Sequence, residues 1–429
     1  MKTGNRGGVP ASAHFAPGDD GALACDGVAL ARIAAEHGTP THVYSAAAIA
    51  EAYRFIDAAL GASPHLICYA MKANGAPAIL RLLAGLGAGA DVVSGGELHW
   101  ALRCGIPADR IVFSGVGKTE AEIAAALEAG IRAIHVESAP ELDVIEAIAR
   151  DRGVVARIAL RVNPDIDPAT HRYIATGLHD TKFGLEVEVA RRLLPRLLES
   201  AHVELEGLAC HVGSQMSSAR PLEDAVAIVA ELAREFADAG APIRTIDAGG
   251  GWPISYGDED APHAPWALFG EAIRAGIRRG GAEGLGLEIV VEPGRALVGD
   301  AGALLTRVLY VKEQGGKRFV IVDAAMTELI RPSLYGAYHA IVPVRPRDGE
   351  PTPADVVGPV CETGDFLGID RLLPPLVRGD LLLVRSTGAY GASMASRYNA
   401  RPLAAEVLIE RGAARVIRPR ERYEDLHPG

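Results

Sequence analysis

The chain has 429 residues, 49% hydrophobic and 23% charged, an ordinary globular balance whose length allows two or three domains with substantial cores. Acidic residues outnumber basic ones by 54 to 43, giving a net charge of −11, and the two signs are interspersed. That pattern, with aromatics at 5%, argues against a nucleic-acid footprint, a base-stacking surface or a polybasic membrane anchor.

The opening residues 1–20, rich in Gly, Pro, Ala and Asp, read as a disordered segment lacking the apolar stretch of a signal peptide. No apolar run is long enough to span a bilayer. The five cysteines, Cys25, Cys68, Cys104, Cys210 and Cys361, are scattered and form no CxxC pair. No metal site is expected from them, and free thiols in a reducing cytoplasm are the default.

From about residue 40, short apolar runs alternate with amphipathic Ala/Leu/Arg/Glu-rich stretches. The runs are 41–45 (THVYS), 65–72 (HLICYAMK), 89–94 (GADVVS), 110–115 (RIVFSG), 133–138 (AIHVES), 157–164 (RIALRVNP), 205–213 (LEGLACHVG), 245–251 (TIDAGGG) and 288–294 (EIVVEPG). Strands alternating with helices predict right-handed βαβ units, and their number fits a closed (β/α)8 barrel over 40–293. After Gly294, runs such as LLTRVLYVKE, KRFVIVDAA and DLLLVRSTGAY are joined by Gly, Pro and Asp turns with little helical periodicity. They predict a mostly antiparallel β-sandwich or barrel domain formed by 294–429 with 21–39.

A barrel of this kind carries its chemistry at the C-terminal ends of its strands. Lys72 follows the apolar run LICYAM. It reads either as a snorkelling strand-end lysine or as a partly desolvated amine, which is a better nucleophile. The triplet Gly249–Gly251 suits a tight turn or a backbone cradle for an anion. Glu292, in EPGR, can pair with Arg295 or hold a protonated ring nitrogen. His211, in HVGSQ, is a loop histidine or a flat ring against a cofactor. Cys361, in a Gly/Glu/Asp-rich loop, is an inert thiol or an exposed reactive one. Tyr390 lies between glycines that leave room for a ligand.

YAMKAN, ADVVSGGEL, HRYIATGLHDTKFG, HVGSQ, DAGGGWP, EPGR, GPVCETGD and GAYGASMASRYNARPLAAEVL occur in that order over residues 25–412. Together they resemble the diaminopimelate decarboxylase family, fold-type III enzymes that use pyridoxal 5′-phosphate on an alanine-racemase-like barrel. The resemblance implies that Lys72 carries the cofactor as a Schiff base and that His211 stacks on its ring. Ser214, Gly250 and Gly251 would hold the phosphate, Glu292 the ring nitrogen, with Gly294 and Arg295 nearby. Arg295, Arg331, Tyr335 and Glu362 match substrate-binding positions, Tyr390 touches both substrate and cofactor, and Cys361 matches a proton donor. It further implies a cytoplasmic homodimer with shared active sites, converting meso-diaminopimelate to L-lysine and CO2. Thr363 stands where the family commonly has serine, which keeps the hydroxyl.

Two other readings remain open at this level. One is a decarboxylase of ornithine, lysine, carboxynorspermidine or a carrier-bound amino acid on the same scaffold. The other is a non-catalytic or racemising barrel, against which the β domain and the carboxylate Glu292 both speak.

Overall fold

The computed structural model describes residues 13–166, 182–257 and 263–426. It divides into two compact units, one of Ala52–Pro253 with Pro262–Ala296, the other of Met1–Glu51, Ile254–Ala261 and Leu297–Gly429.

The first unit is a closed barrel of eight parallel strands. These are β1 (His65–Ala70), β2 (Gly89–Val92), β3 (Ile111–Phe113), β4 (Ala133–Val136), β5 (Ala156–Asn163), β6 (Val203–Ala209), β7 (Thr245–Asp247) and β8 (Glu288–Val291). Each pairs in parallel with the next, and β8 closes the ring onto β1 with Ile289 opposite His65. β2, β3 and β4 are buried along their whole length, as expected of strands covered on both faces. The intervening helices carry their start signals in the sequence. Ser94 and Ser138 accept the backbone N–H three residues on, and Thr119 forms a capping box with Glu122. Leu66, Cys68, Val112 and Val290, from β1, β3 and β8, make an apolar layer.

In the second unit a sheet runs in the order Phe366–Leu373, Thr352–Val357, Lys317–Val322, Gly302–Gln314, Thr41–Ser45, Ala405–Glu410, Ala413–Arg418. It is largely antiparallel, with parallel pairings between 317–322 and 352–357 and between 41–45 and 405–410. The strands Ile341–Pro343 and Leu381–Val384 pair with each other, and the latter also with Gly302–Gln314. Two clusters of buried Leu, Ile and Val side chains, one around Leu305 and Val407 and one around Val320 and Val356, form its core.

Two expectations fail here. The run Thr41–Ser45 does not open the barrel; it pairs with Gly302–Gln314 and Ala405–Glu410 in the second unit. Its five residues are all buried, so the run looks the same in either sheet, and distant partners decide its place. Nor is all of 1–20 outside the fold: Phe15–Pro17 is a strand paired with Leu23–Cys25, and Phe15 is buried in the same apolar core as Leu305. Residues 1–12 lie outside the described residues, as does most of the HRYIATGLHDTKFG motif, 171–181.

Candidate active site

β1 ends at Ala70 and the chain makes one turn of 3-10 helix, Met71–Ala73, which presents Lys72 at the strand's C-terminal end. Lys72 Nζ lies 2.7 Å from Asp91 Oδ2, on the neighbouring strand β2. Asp91 is fully buried whereas 39% of the Lys72 side chain is exposed. Burial works against the Asp91 carboxylate, but the Lys72 ammonium outweighs it and holds the group below the usual carboxylate range. Asp91 therefore anchors the amine on its buried side.

Beside this pair lies a second polar layer. Ser114 Oγ is 3.1 Å from His135 Nδ1 and 3.3 Å from Glu292 Oε1. His135 Nε2 is 3.7 Å from Asp247 Oδ2, and donor atoms of His135, Asp247 and Glu292 lie within 4.8 Å of one another. These residues come from β4, β7 and the end of β8, strands that are not all sheet neighbours, so their side chains meet inside the barrel. So many buried groups cannot all be charged. Burial pushes His135 down to about 3, leaving it neutral. Burial, with the negative charge of Asp91 nearby, pushes Asp247 up to about 7. Burial and the Asp247 and Asp91 charges raise Glu292 well above the carboxylate range. Asp247 Oδ1 accepts the Gly249 N–H at 2.8 Å. Its other oxygen, Oδ2, is buried without a hydrogen-bond partner among the described residues.

The glycine triplet follows β7. The Gly250 N–H donates to His211 Nδ1 at 3.0 Å, so that nitrogen is unprotonated and the hydrogen of the neutral ring sits on Nε2. Burial and the Arg161 and Lys72 charges lower the His211 pKa, in keeping with that tautomer. A Cβ on Gly250 would stand 2.3 Å from the Glu292 carbonyl oxygen, so only glycine lets the ends of β7 and β8 approach. Gly251 has φ +87°, and among the described residues its N–H has no backbone acceptor. Arg295, buried at the start of a short helical turn, reaches Ser214 Oγ with Nη2 at 3.0 Å. A Cβ on Gly294 would stand 3.0 Å from Ala73 Cβ and 3.1 Å from Ala70 Cβ, so glycine lets this turn lie close to the end of β1.

In the second unit, Arg331 and Tyr335 begin and end the helix Arg331–Tyr335. Ser333, between them, donates its hydroxyl to the Gly364 carbonyl and so ties this helix to the Cys361–Asp365 loop. Asp365 braces the loop by accepting the Val360 and Met326 N–H groups at 2.7 and 2.6 Å. Cys361 and Glu362 are exposed, and Asn399 Oδ1 accepts the Cys361 N–H at 3.0 Å. Tyr390 is half-buried at φ +58°, a left-handed conformation that side chains other than glycine seldom adopt.

Residues 46–299 match the family model described as pyridoxal-dependent decarboxylase, pyridoxal binding domain. A diaminopimelate decarboxylase of Pseudomonas aeruginosa is 48% identical, over 96% of this chain and 97% of that protein. One of Aquifex aeolicus is 47% identical, over 94% of each. The chain belongs to the diaminopimelate decarboxylase family. Among solved structures, the Helicobacter pylori family member complexed with L-lysine superposes with a TM-score of 0.88 at 43% identity, covering 92% of this chain and 98% of that one.

The cofactor of a pyridoxal-dependent family has an aldehyde, a dianionic phosphate and a basic ring nitrogen. The barrel offers an amine at Lys72, a buried arginine at Arg295 with the Gly251 N–H, and a proton-holding carboxyl at Glu292. This donor set fits the group. Three further polar residues of the site escaped the reading of the sequence, namely Ser114, His135 and Asp247. Their signal was faint: one polar residue each in the strand runs RIVFSG, AIHVES and TIDAGGG. Asp91 and Arg161 are placed by their partners. Asp91 holds Lys72, while Arg161 pairs with Glu137 at 2.7 Å and covers the Phe183 ring at 5.0 Å. Among the described residues no helix is long and apolar enough to cross a membrane.

Proposed function

We propose that this chain binds pyridoxal 5′-phosphate through Lys72 and, as a homodimer in the cytoplasm, decarboxylates meso-diaminopimelate to L-lysine and CO2. The observation that carries the reading is the barrel's donor set, in which a lysine amine, a phosphate-suited arginine and a proton-holding carboxyl lie at the ends of neighbouring strands. Relatives named diaminopimelate decarboxylase, at 47–48% identity over nearly the whole chain, supply the substrate.

When bound, the cofactor supplies an electron sink for the charge left at the substrate's α-carbon as CO2 departs. The chain's own groups do the rest. Arg295, Ser214 and the Gly251 N–H bind phosphate. Asp91 holds Lys72 Nζ in place for covalent attachment. His211, neutral and fixed as the Nε2–H tautomer by Gly250, offers a flat ring without a competing charge. Glu292 keeps a proton at its carboxyl for a basic nitrogen placed against it, and Asp247 raises its hold on that proton. Cys361 delivers a proton from Sγ to the α-carbon, replacing the lost carboxylate. Arg331 and Tyr335 bind the distal carboxylate of the substrate, and Glu362 its distal ammonium; Tyr390 contacts the substrate and the cofactor.

Incubation with meso-diaminopimelate and pyridoxal phosphate, with CO2 and lysine quantified, tests the reading. A higher kcat/KM on ornithine than on meso-diaminopimelate would overturn it in favour of a diamine-forming decarboxylase.

A further inference from the structure

Arg331 is held by a set of side chains of its own. It is 7% exposed, and its Nη1 lies 2.7 Å from His339 Nε2. The other ring nitrogen of His339, Nδ1, lies 2.9 Å from the Arg385 carbonyl oxygen. A carbonyl can only accept, so Nδ1 carries the hydrogen. The neutral ring then presents a lone pair at Nε2, which is the partner a guanidinium N–H requires. His339 is fully buried, so this order of donors and acceptors is not exchanged with solvent. The guanidinium also lies over the Tyr256 ring, 4.9 Å from its centroid, and Tyr256 meets His339 edge to face at 5.0 Å. One guanidinium edge is thus fixed by a hydrogen bond and one face by an aromatic ring.

We infer that His339, seconded by Tyr256, is a positioning residue for substrate carboxylate recognition: it fixes the plane in which the Arg331 guanidinium meets the carboxylate. A guanidinium able to rotate would still attract an anion. It would lose the two-point geometry that distinguishes a planar carboxylate from other anions and from no anion at all. The inference rests on the reading that Arg331 binds the carboxylate that does not leave. That carboxylate persists in L-lysine, whereas 1,5-diaminopentane has none. Product and diamine therefore probe the clamp separately from the chemistry.

The test compares the holoenzyme with His339→Asn, His339→Gln, Tyr256→Leu and Arg331→Gln. Asparagine can replace the Nδ1–H toward Arg385 but offers Arg331 no acceptor; glutamine places an amide oxygen near the position of Nε2. His339→Asn is expected to raise KM for meso-diaminopimelate and weaken L-lysine binding by the same factor, about tenfold or more. The fall in kcat should be smaller, and 1,5-diaminopentane binding should move less than about twofold. His339→Gln should recover most of the loss. Should His339→Asn not fold, Tyr256→Leu carries the same comparison with a smaller shift. Wild-type lysine affinity in His339→Asn or Tyr256→Leu, alongside a weakened Arg331→Gln, overturns the positioning role and leaves the reading of Arg331 standing. Equal losses for lysine and the diamine would mark a merely structural role and overturn it too. Wild-type affinity in Arg331→Gln removes the underlying reading and the inference with it.

Discussion

Replacing Asp247 by asparagine separates the charge of the buried carboxyl layer from its shape. The variant's amide keeps an oxygen for the Gly249 N–H and puts an NH2 where Oδ2 faces His135 Nε2 at 3.7 Å. Only the titration is lost. In the folded chain Asp247 titrates near 7, against 3.8 for the free group. Its folded pKa is thus raised, so the folded state binds the extra proton, and stability falls as pH rises from about 4 to 7. One pKa unit corresponds to about 1.36 kcal/mol, so the whole shift is worth on the order of 4 kcal/mol. Glu292 adds to the same slope, because the Asp247 charge is one reason its own proton affinity is raised.

The assay is the unfolding midpoint of the cofactor-stripped protein between about pH 5 and 8.5, a window that brackets the folded-state titration. Wild type should lose stability over that range. Asp247→Asn should lose markedly less, gaining several degrees on wild type at the alkaline end and little at the acid end. Parallel profiles for the two proteins would refute the reasoning, since they would mean that Asp247 is ionised in the folded chain throughout.

Lys72→Ala should abolish the near-ultraviolet or visible absorbance of the cofactor-loaded protein and its covalent trapping by borohydride; a retained, reducible band would remove Lys72 as the attachment point. Gly251→Ala must place a Cβ 2.1 Å from the Gly213 carbonyl oxygen at φ +87°, so a loss of about 1–3 kcal/mol in stability and about tenfold or more in cofactor affinity is expected, read by denaturation and by absorbance titration. Cys361→Ala, at an exposed position outside any core, should fold and load cofactor normally yet lose most turnover; near-normal kcat on meso-diaminopimelate would end its role as proton donor.

Much of the barrel was legible because several strands end in a polar or glycine signal that stands out from the apolar run: Lys72 after LICYAM, Glu292 after EIVV, the triplet after TIDA. What period and composition cannot express is which sheet a buried run joins. Thr41–Ser45 satisfies the barrel pattern and belongs to the other sheet, because its partners lie hundreds of residues further along, at Gly302–Leu305 and Ala405–Ile409. The same limit hid the carboxyl layer. Ser114, His135, Asp247 and Glu292 belong to different strands or strand ends, and their meaning arises only when closure of the ring brings them together. Gly250 shows the reverse case: a glycine expected to serve an anion turns its N–H to His211.

The arrangement also explains how so polar an interior is tolerated. Lys72 neutralises Asp91, and Arg161 neutralises Glu137, each across 2.7 Å. His135 is neutral by burial, and His211 by burial and by the hydrogen bond it accepts. What remains is the carboxyl pair Asp247 and Glu292, which cannot ionise together at such short range and so holds a proton at neutral pH. Arg295, with Ser214 and the Gly251 N–H, supplies positive charge and donors of the kind a phosphate needs. The barrel's chemistry is therefore polarised, with a proton held for a base at Glu292 and donors suited to an anion at Arg295. A molecule with a basic ring nitrogen at one end and a phosphate at the other matches both at once. A buried carboxyl pair lowers the stability of the fold, so its retention is better explained by what it holds than by what it contributes to folding.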